Sequence, residues 1–280
     1  MKKQVLLQTV LAALYLSVLF GETTPPQSPG EMTIMTFNVQ RCCGSDKKLD
    51  IERTAAIITE VQPRFAALQE IDVNVPRTRR IDEPAELARL TGMKATFAKT
   101  INWQGGEYGI MLLSREEPIS VKKVPLPGSE PRLLLLAEFE DCVVGCTHLS
   151  VGNSKERMDS VPLIREAMAQ FNKPIFICGD LNSGPASSLL AEMKKFLTIL
   201  SPTDQNTFHG KKPKLSTNPA TCIDYIAIDS AHADSIRVEE KVVVPDTDTS
   251  DHKPVWVRIS AQTPNARIDT TTSWRTAPSP

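Results

Sequence analysis

This chain is built around short apolar runs that each stop at an acid, an amide or an imidazole. "TIMTF" leads to Asn38, "FAALQ" to Glu70 and "VVGCT" to His148. "FIC" and Gly179 lead to Asp180, with Asn182 two residues on. "TCI" precedes Asp224, and Asp251 and His252 precede "KPVWVRI". Runs of this length bounded by turn residues suit buried strands. A charge where a buried strand meets the surface is costly unless it is paired or bound to a metal.

The same reading along the chain predicts strands over 32–39, 64–69, 108–115, 132–139, 141–147, 174–179, 221–228 and 255–259, with another over 238–244. Apolar residues at helical spacing predict helices over 50–61, 84–91, 155–171 and 187–196, with Pro162 inside the third. Strands outnumber helices and come in clusters, unlike the regular alternation of a doubly wound sheet. Two sheets packed face to face, with helices outside, fit the length.

The N-terminus has its own character. Lys2 and Lys3 precede an apolar run from Val5 to Phe20, the pattern of a secretory signal over residues 1–21. The run is short for a transmembrane helix. Gly21 is small but Leu19 is not, so the cleavage match is poor, and the alternative is an uncut membrane anchor. A polar linker, 22–30, follows, and residues 261–280 read as a disordered tail rich in Thr, Pro, Ser and Ala. The folded domain is expected over 31–260, in a secreted or periplasmic protein.

Lys and Arg total 32 against 33 Asp and Glu, so no global field draws in nucleic acid. Without residues 1–21 the basic total falls to 30 against 33, a net charge of −3. Lys211, Lys212 and Lys214 form a local basic patch read as a solvated loop. The six cysteines fit no zinc spacing, and Cys142, Cys146 and Cys178 sit in strand-like runs, so mostly free, buried thiols are expected. No GxSxG elbow is present to support a serine nucleophile.

The rim residues carry the chemistry. Asp180 and Asn182 would point the same way in an extended segment, one offering a base or ligand and the other an amide donor. Asn38, Glu70 and Asp251 offer oxygen atoms, the ligand type that Mg²⁺ or Mn²⁺ prefers. In combination, "MTFNV", "ALQEID", "GGEYGIMLLSR", "CTHLS", "GDLNS", "CIDYIAI" and "SDHKPV" resemble, in order, the motifs of the endonuclease/exonuclease/phosphatase superfamily, the metal-dependent hydrolases related to deoxyribonuclease I.

The resemblance implies a four-layered α/β sandwich, two packed, mainly antiparallel sheets flanked by helices, with the site at one end. It implies Glu70 as principal metal ligand with Asn38 beside it, and Asp251 holding the metal site or orienting a histidine. It implies His252 at the scissile phosphate, Asp224 orienting it, Asp180 activating water, and Asn182, Tyr108 and His148 at or near the phosphate. Gln40 is a departure, since many nucleases of the family carry an acid two residues after the Asn.

The substrate implied is a phosphoester: nucleic acid, phospholipid or a small phosphodiester. Arg77, Arg79 and Arg80 read as a solvated loop or a phosphate contact near the mouth, and Trp103 as a packed or a stacking aromatic. No obligate protein partner is called for, and a monomer is expected. The competing reading is a non-catalytic phosphate-, nucleic-acid- or lipid-binding module of the same fold, against which the intact set of polar residues argues.

Overall fold

The computed structural model describes residues 30–210, 221–245 and 248–262. Among the described residues, twelve strands form two six-stranded sheets. The first runs in the order β11 (Ile236–Val243), β12 (Val255–Ala261), β1 (Glu31–Asn38), β2 (Phe65–Val73), β4 (Gly106–Ser114), β3 (Lys94–Trp103). The second runs β5 (Ser120–Leu126), β6 (Arg132–Glu138), β7 (Val143–His148), β8 (Ile175–Asp180), β10 (Asp224–Asp229), β9 (Leu197–Ile199). Pairing is parallel between β1 and β2 and between β7 and β8, and antiparallel elsewhere in both sheets.

Strand alternation sorts the apolar side chains into layers. Ile34, Phe65, Ala67 and Ile110 of the first sheet meet Leu133, Leu135, Val144, Phe176 and Ile226 of the second in the central core. Their neighbours Met35, Phe37, Ala66 and Leu68 point outward, against helices α1 (Ile51–Val61) and α2 (Glu83–Thr91). Leu134, Leu136, Ile175 and Ile177 point the other way, against α3 (Ser154–Met168) and α4 (Ser188–Met193). The four-layered sandwich follows from three apolar cores between four layers.

Local chemistry sets the helix ends. Asp50, Asp82, Asn153 and Ser187 cap the four N-termini, each side chain accepting a first-turn N–H. Gln62 closes α1 in the left-handed region before Pro63, and Gly92 does so for α2. Pro162 lies within α3. That helix ends at Met168 and α4 at Met193, each a few residues short of the sequence expectation.

Three strands escaped the sequence reading. β3 and β5 are edge strands with mostly exposed or half-buried residues, and β9 is three residues long. β10 begins at Asp224 rather than at 221, and β12 runs on to Ala261. All six cysteines are unpaired, five of them buried. The N-terminal apolar run, the linker to residue 29, the lysine patch and the tail beyond 262 lie outside the described residues. Among the described residues, no helix is long and apolar enough to cross a membrane.

Candidate active site

Strand register assembles the site. His148 pairs across with Asp180 in the parallel β7/β8 ladder, and Asp180 pairs with Asp224 in the antiparallel β8/β10 ladder. Three chemically active residues therefore stand in a row at one end of the second sheet. Asn38 ends β1 of the facing sheet, and its Nδ2 donates to Asp180 Oδ2 at 3.2 Å. His252 lies shortly before β12, which runs antiparallel to β1 and so starts at the same rim. Gly179 carries β8 into the site at φ +152°, and a Cβ there would sit 2.0 Å from the Thr147 carbonyl oxygen. Only glycine allows β8 to approach β7 so closely.

Glu70 reaches the rim by a different device. The β2/β4 register shifts between Leu68 and Ile71, and Glu70 sits in the bulge with φ 60°. A bulge re-aims a side chain that regular alternation would place elsewhere. Asn38 Nδ2 donates to Glu70 Oε1 at 3.3 Å, so one amide spans the carboxylates of Glu70 and Asp180.

Asp180 is the hub. It is 1 % exposed, and its Oδ2 faces Asn38, His148 Nε2 at 3.4 Å and His252 Nε2 at 3.6 Å. Burial first, then the Asp224 charge, raises its pKa to about 7. His252 belongs to Asp224 instead, whose Oδ2 lies 2.9 Å from its Nδ1. Burial opposes the His252 cation, but the Asp224 and Asp180 charges overcome it and raise the pKa to about 10. His148 is pushed well below the usual histidine range by burial, with the Arg132 and His252 charges adding to the effect. One histidine is thus held charged and the other neutral within one buried cluster. Tyr108 is buried and its phenol is pushed up, chiefly by burial and then by Glu70, so it stays protonated.

Two expectations change in detail. Asp180 and Asn182 do not share a face of an extended segment. Asn182 adopts φ 49°, its N–H donates to Asp180 Oδ1 at 2.9 Å, and its Nδ2 donates to the Leu149 carbonyl at 3.0 Å. The turn ties Asn182 to the base of the site. Asp251 does not orient a histidine, because Asp224 does; its Oδ2 accepts from Gln40 Nε2 at 2.8 Å.

Arg77 stays exposed to solvent on one side and is tied inward on the other. It makes a two-pronged pair, both contacts 2.8 Å, with the fully buried Asp72, and its guanidinium lies over the Tyr108 and Trp103 rings at 5.4 and 5.9 Å. Trp103 remains 41 % exposed.

Sequence reasoning missed four residues. Thr207 donates to Asp224 Oδ2 at 2.6 Å while its oxygen accepts the N–H groups of Ile223 and Asp224. Ser250 donates to the Asn38 carbonyl at 2.7 Å and accepts the His252 N–H. Arg132, 7 % exposed, places Nη1 3.5 Å from His148 Nδ1. Arg41 reaches Glu70. Ser250 begins the "SDHKPV" run, but Thr207 lies in a loop with no apolar pattern to flag it.

The donor set suits a hard divalent cation on the Glu70 side. Glu70 and Asp251 present carboxylate oxygens, and among the described residues Glu70 is held only by contacts of 3.3 and 3.4 Å. The Asn38 amide lies beside Glu70 with Nδ2 towards it and Oδ1 on the Gln40 N–H, so it would have to turn to offer its oxygen. Asp180, Asp224 and His252 also bring ligand atoms within 4.8 Å of one another. There, however, Asp224 Oδ2 and His252 Nδ1 are already committed to each other. The buried Asp224 Oδ1 has no hydrogen-bond partner among the described residues.

The model of the Endonuclease/Exonuclease/phosphatase family matches residues 35–252, which run from β1 to His252. The chain belongs to this family. Its fold is shared by solved members and neighbours at low sequence identity. An endonuclease/exonuclease/phosphatase from Beutenbergia cavernae superposes with a TM-score of 0.65 at 20% identity, over 82% of this chain and 72% of that one. The mannosyl-6-phosphatase of Bacteroides thetaiotaomicron gives 0.67 at 17% identity, over 81% and 99%. ANGEL2, a 2′,3′-cyclic phosphatase, gives 0.63 at 13% identity, over 82% and 95%.

Proposed function

We propose that this chain is an exported, divalent-metal-dependent phosphoesterase that hydrolyses its substrate by in-line attack of water. The observation that carries the reading is the Asp180 carboxylate, buried at the rim and faced by Asn38, His148 and a charged His252. A base whose pKa is raised towards neutrality takes a proton from water as attack proceeds better than an ordinary carboxylate does. The His252 imidazolium, held by Asp224, places positive charge beside the phosphoryl oxygens. His148, kept neutral, serves as a hydrogen-bond partner, and the protonated Tyr108 donates at the phosphate. Asn182 fixes the Asp180 turn at the site's floor.

Glu70, Asn38 and Asp251 are the residues to hold Mg²⁺ or Mn²⁺. Such an ion supplies charge and polarisation at the phosphoryl group.

Fold neighbours with phosphatase activities widen the substrate range to monoesters and cyclic diesters. The test is a panel with the full chain: bis(p-nitrophenyl) phosphate, p-nitrophenyl phosphate, mannose 6-phosphate, a 2′,3′-cyclic nucleotide, plasmid DNA, RNA and sphingomyelin, each with Mg²⁺, Mn²⁺ or EDTA. Turnover that EDTA removes supports the reading, and the fastest substrate names the class. A folded protein that turns over none of them while binding phosphoesters would favour the binding module.

A further inference from the structure

The turn after β1 places two hydrogen-bond donors on the carboxylates assigned to the metal. Gln40, Arg41 and Cys42 all adopt left-handed backbone, with φ of 49°, 59° and 50°. Side chains with a Cβ rarely do so, and three in a row persist only where the surroundings impose them. Here they are tied on both sides. Gln40 N–H donates to Asn38 Oδ1 at 3.1 Å, Cys43 N–H to the Gln40 carbonyl at 3.1 Å, and Asp50 N–H to the Cys42 carbonyl at 2.8 Å, while Cys42 is buried in the outer core. The turn aims Gln40 Nε2 at Asp251 Oδ2, 2.8 Å away, and Arg41 Nη1 at Glu70 Oε2, 3.4 Å away.

The two donors differ in consequence. The Gln40 amide is neutral and can rotate. The Arg41 guanidinium cannot give up its proton, so it always presents a hydrogen and a positive charge. A divalent ion on Glu70 needs the lone pairs that Arg41 faces, and it is repelled by the same charge. Both side chains are about a quarter exposed, at 26% and 22%, so the pair is held loosely enough to open.

We infer that Arg41 is a displaceable internal counter-ion of Glu70: it occupies the carboxylate in the metal-free protein, is driven off by the incoming cation, and so holds down the site's affinity for divalent metal. The inference rests on the metal-dependent reading of the site.

The test is Mn²⁺ binding to the full chain without substrate, followed by the loss of the free-ion paramagnetic resonance signal and by calorimetry. Arg41→Gln and Arg41→Asn remove the charge, and Asn also tolerates left-handed backbone should Gln disturb the fold. Arg41→Lys keeps the charge, and Glu70→Gln removes the ligand. Both neutral variants should bind Mn²⁺ about three- to tenfold more tightly than the wild type. The Lys variant should stay near wild type, and Glu70→Gln should lose the ion.

Neutral variants that fold and bind no more tightly, while Glu70→Gln loses the ion, overturn the role of Arg41 and leave the metal site standing. Absence of Mn²⁺ binding in the wild type and in every variant overturns both.

Discussion

His252 stands between two carboxylates and belongs to one of them: its Nδ1 lies 2.9 Å from Asp224 Oδ2, while its Nε2 lies 3.6 Å from Asp180 Oδ2. The nearer acid fixes the ring and holds the Nδ1 proton, and in the proposed mechanism the farther one acts on water. Asp224→Asn keeps the shape and removes the charge. It should lower kcat by about a hundredfold or more with little change in KM, as loss of an orienting carboxylate does in comparable acid–histidine pairs. Steady-state kinetics on the fastest panel substrate checks this.

Thr207 is the support behind that pair. Its hydroxyl satisfies Asp224 Oδ2 and two backbone N–H groups at once. Thr207→Val should cost about 2 kcal/mol of stability, because buried groups lose their partners. It should also slow turnover by about tenfold, since Asp224 is then held less firmly. Thr207→Ser should recover most of both, measured by urea denaturation and kinetics.

Asp72 and Arg77 form a second charged unit, packed behind Tyr108. Asp72 is fully buried, so Arg77→Ala strands its charge and should cost about 3–5 kcal/mol in urea denaturation. The double variant Asp72→Asn with Arg77→Gln should be less damaging than Arg77→Ala alone, because no buried charge is then left unpaired.

Glu83 makes stability depend on pH. It is buried at the start of α2, accepts the Asp72 N–H at 2.8 Å, and leaves Oε1 without a partner among the described residues. Burial raises its pKa from 4.5 to about 8. The folded state therefore favours the protonated acid. Its contribution is fully present below pH 4.5 and is lost as pH rises towards 8. Glu83→Gln should flatten that slope and leave the protein more stable than wild type at pH 9, by on the order of 3 kcal/mol. Urea denaturation at pH 5, 7 and 9 reads it directly.

Much of this was legible in the sequence because it followed from local pattern. Buried strands such as β1, β2, β7 and β8 are continuous apolar runs, and the polar residues at their ends are the site residues that the register brings together. β3 and β5 were not legible, because edge strands alternate with solvent and carry too few apolar residues to stand out. The Glu70 bulge and the Asn182 turn depend on backbone dihedrals that residue type alone does not fix. Thr207, Arg132 and Arg41 act through partners 16 to 29 residues away in sequence, so only the folded chain shows them.

The most direct test of the account is single-turnover hydrolysis by Asp180→Asn at saturating metal, beside the wild type. Asn keeps the volume and the acceptor oxygen but cannot take a proton from water. The account predicts a fall of about a thousandfold or more in the chemical step, with substrate and Mn²⁺ binding largely retained. A variant that hydrolyses its substrate at the wild-type rate would show that Asp180 is not the base, and the assignment of this site would fail with it.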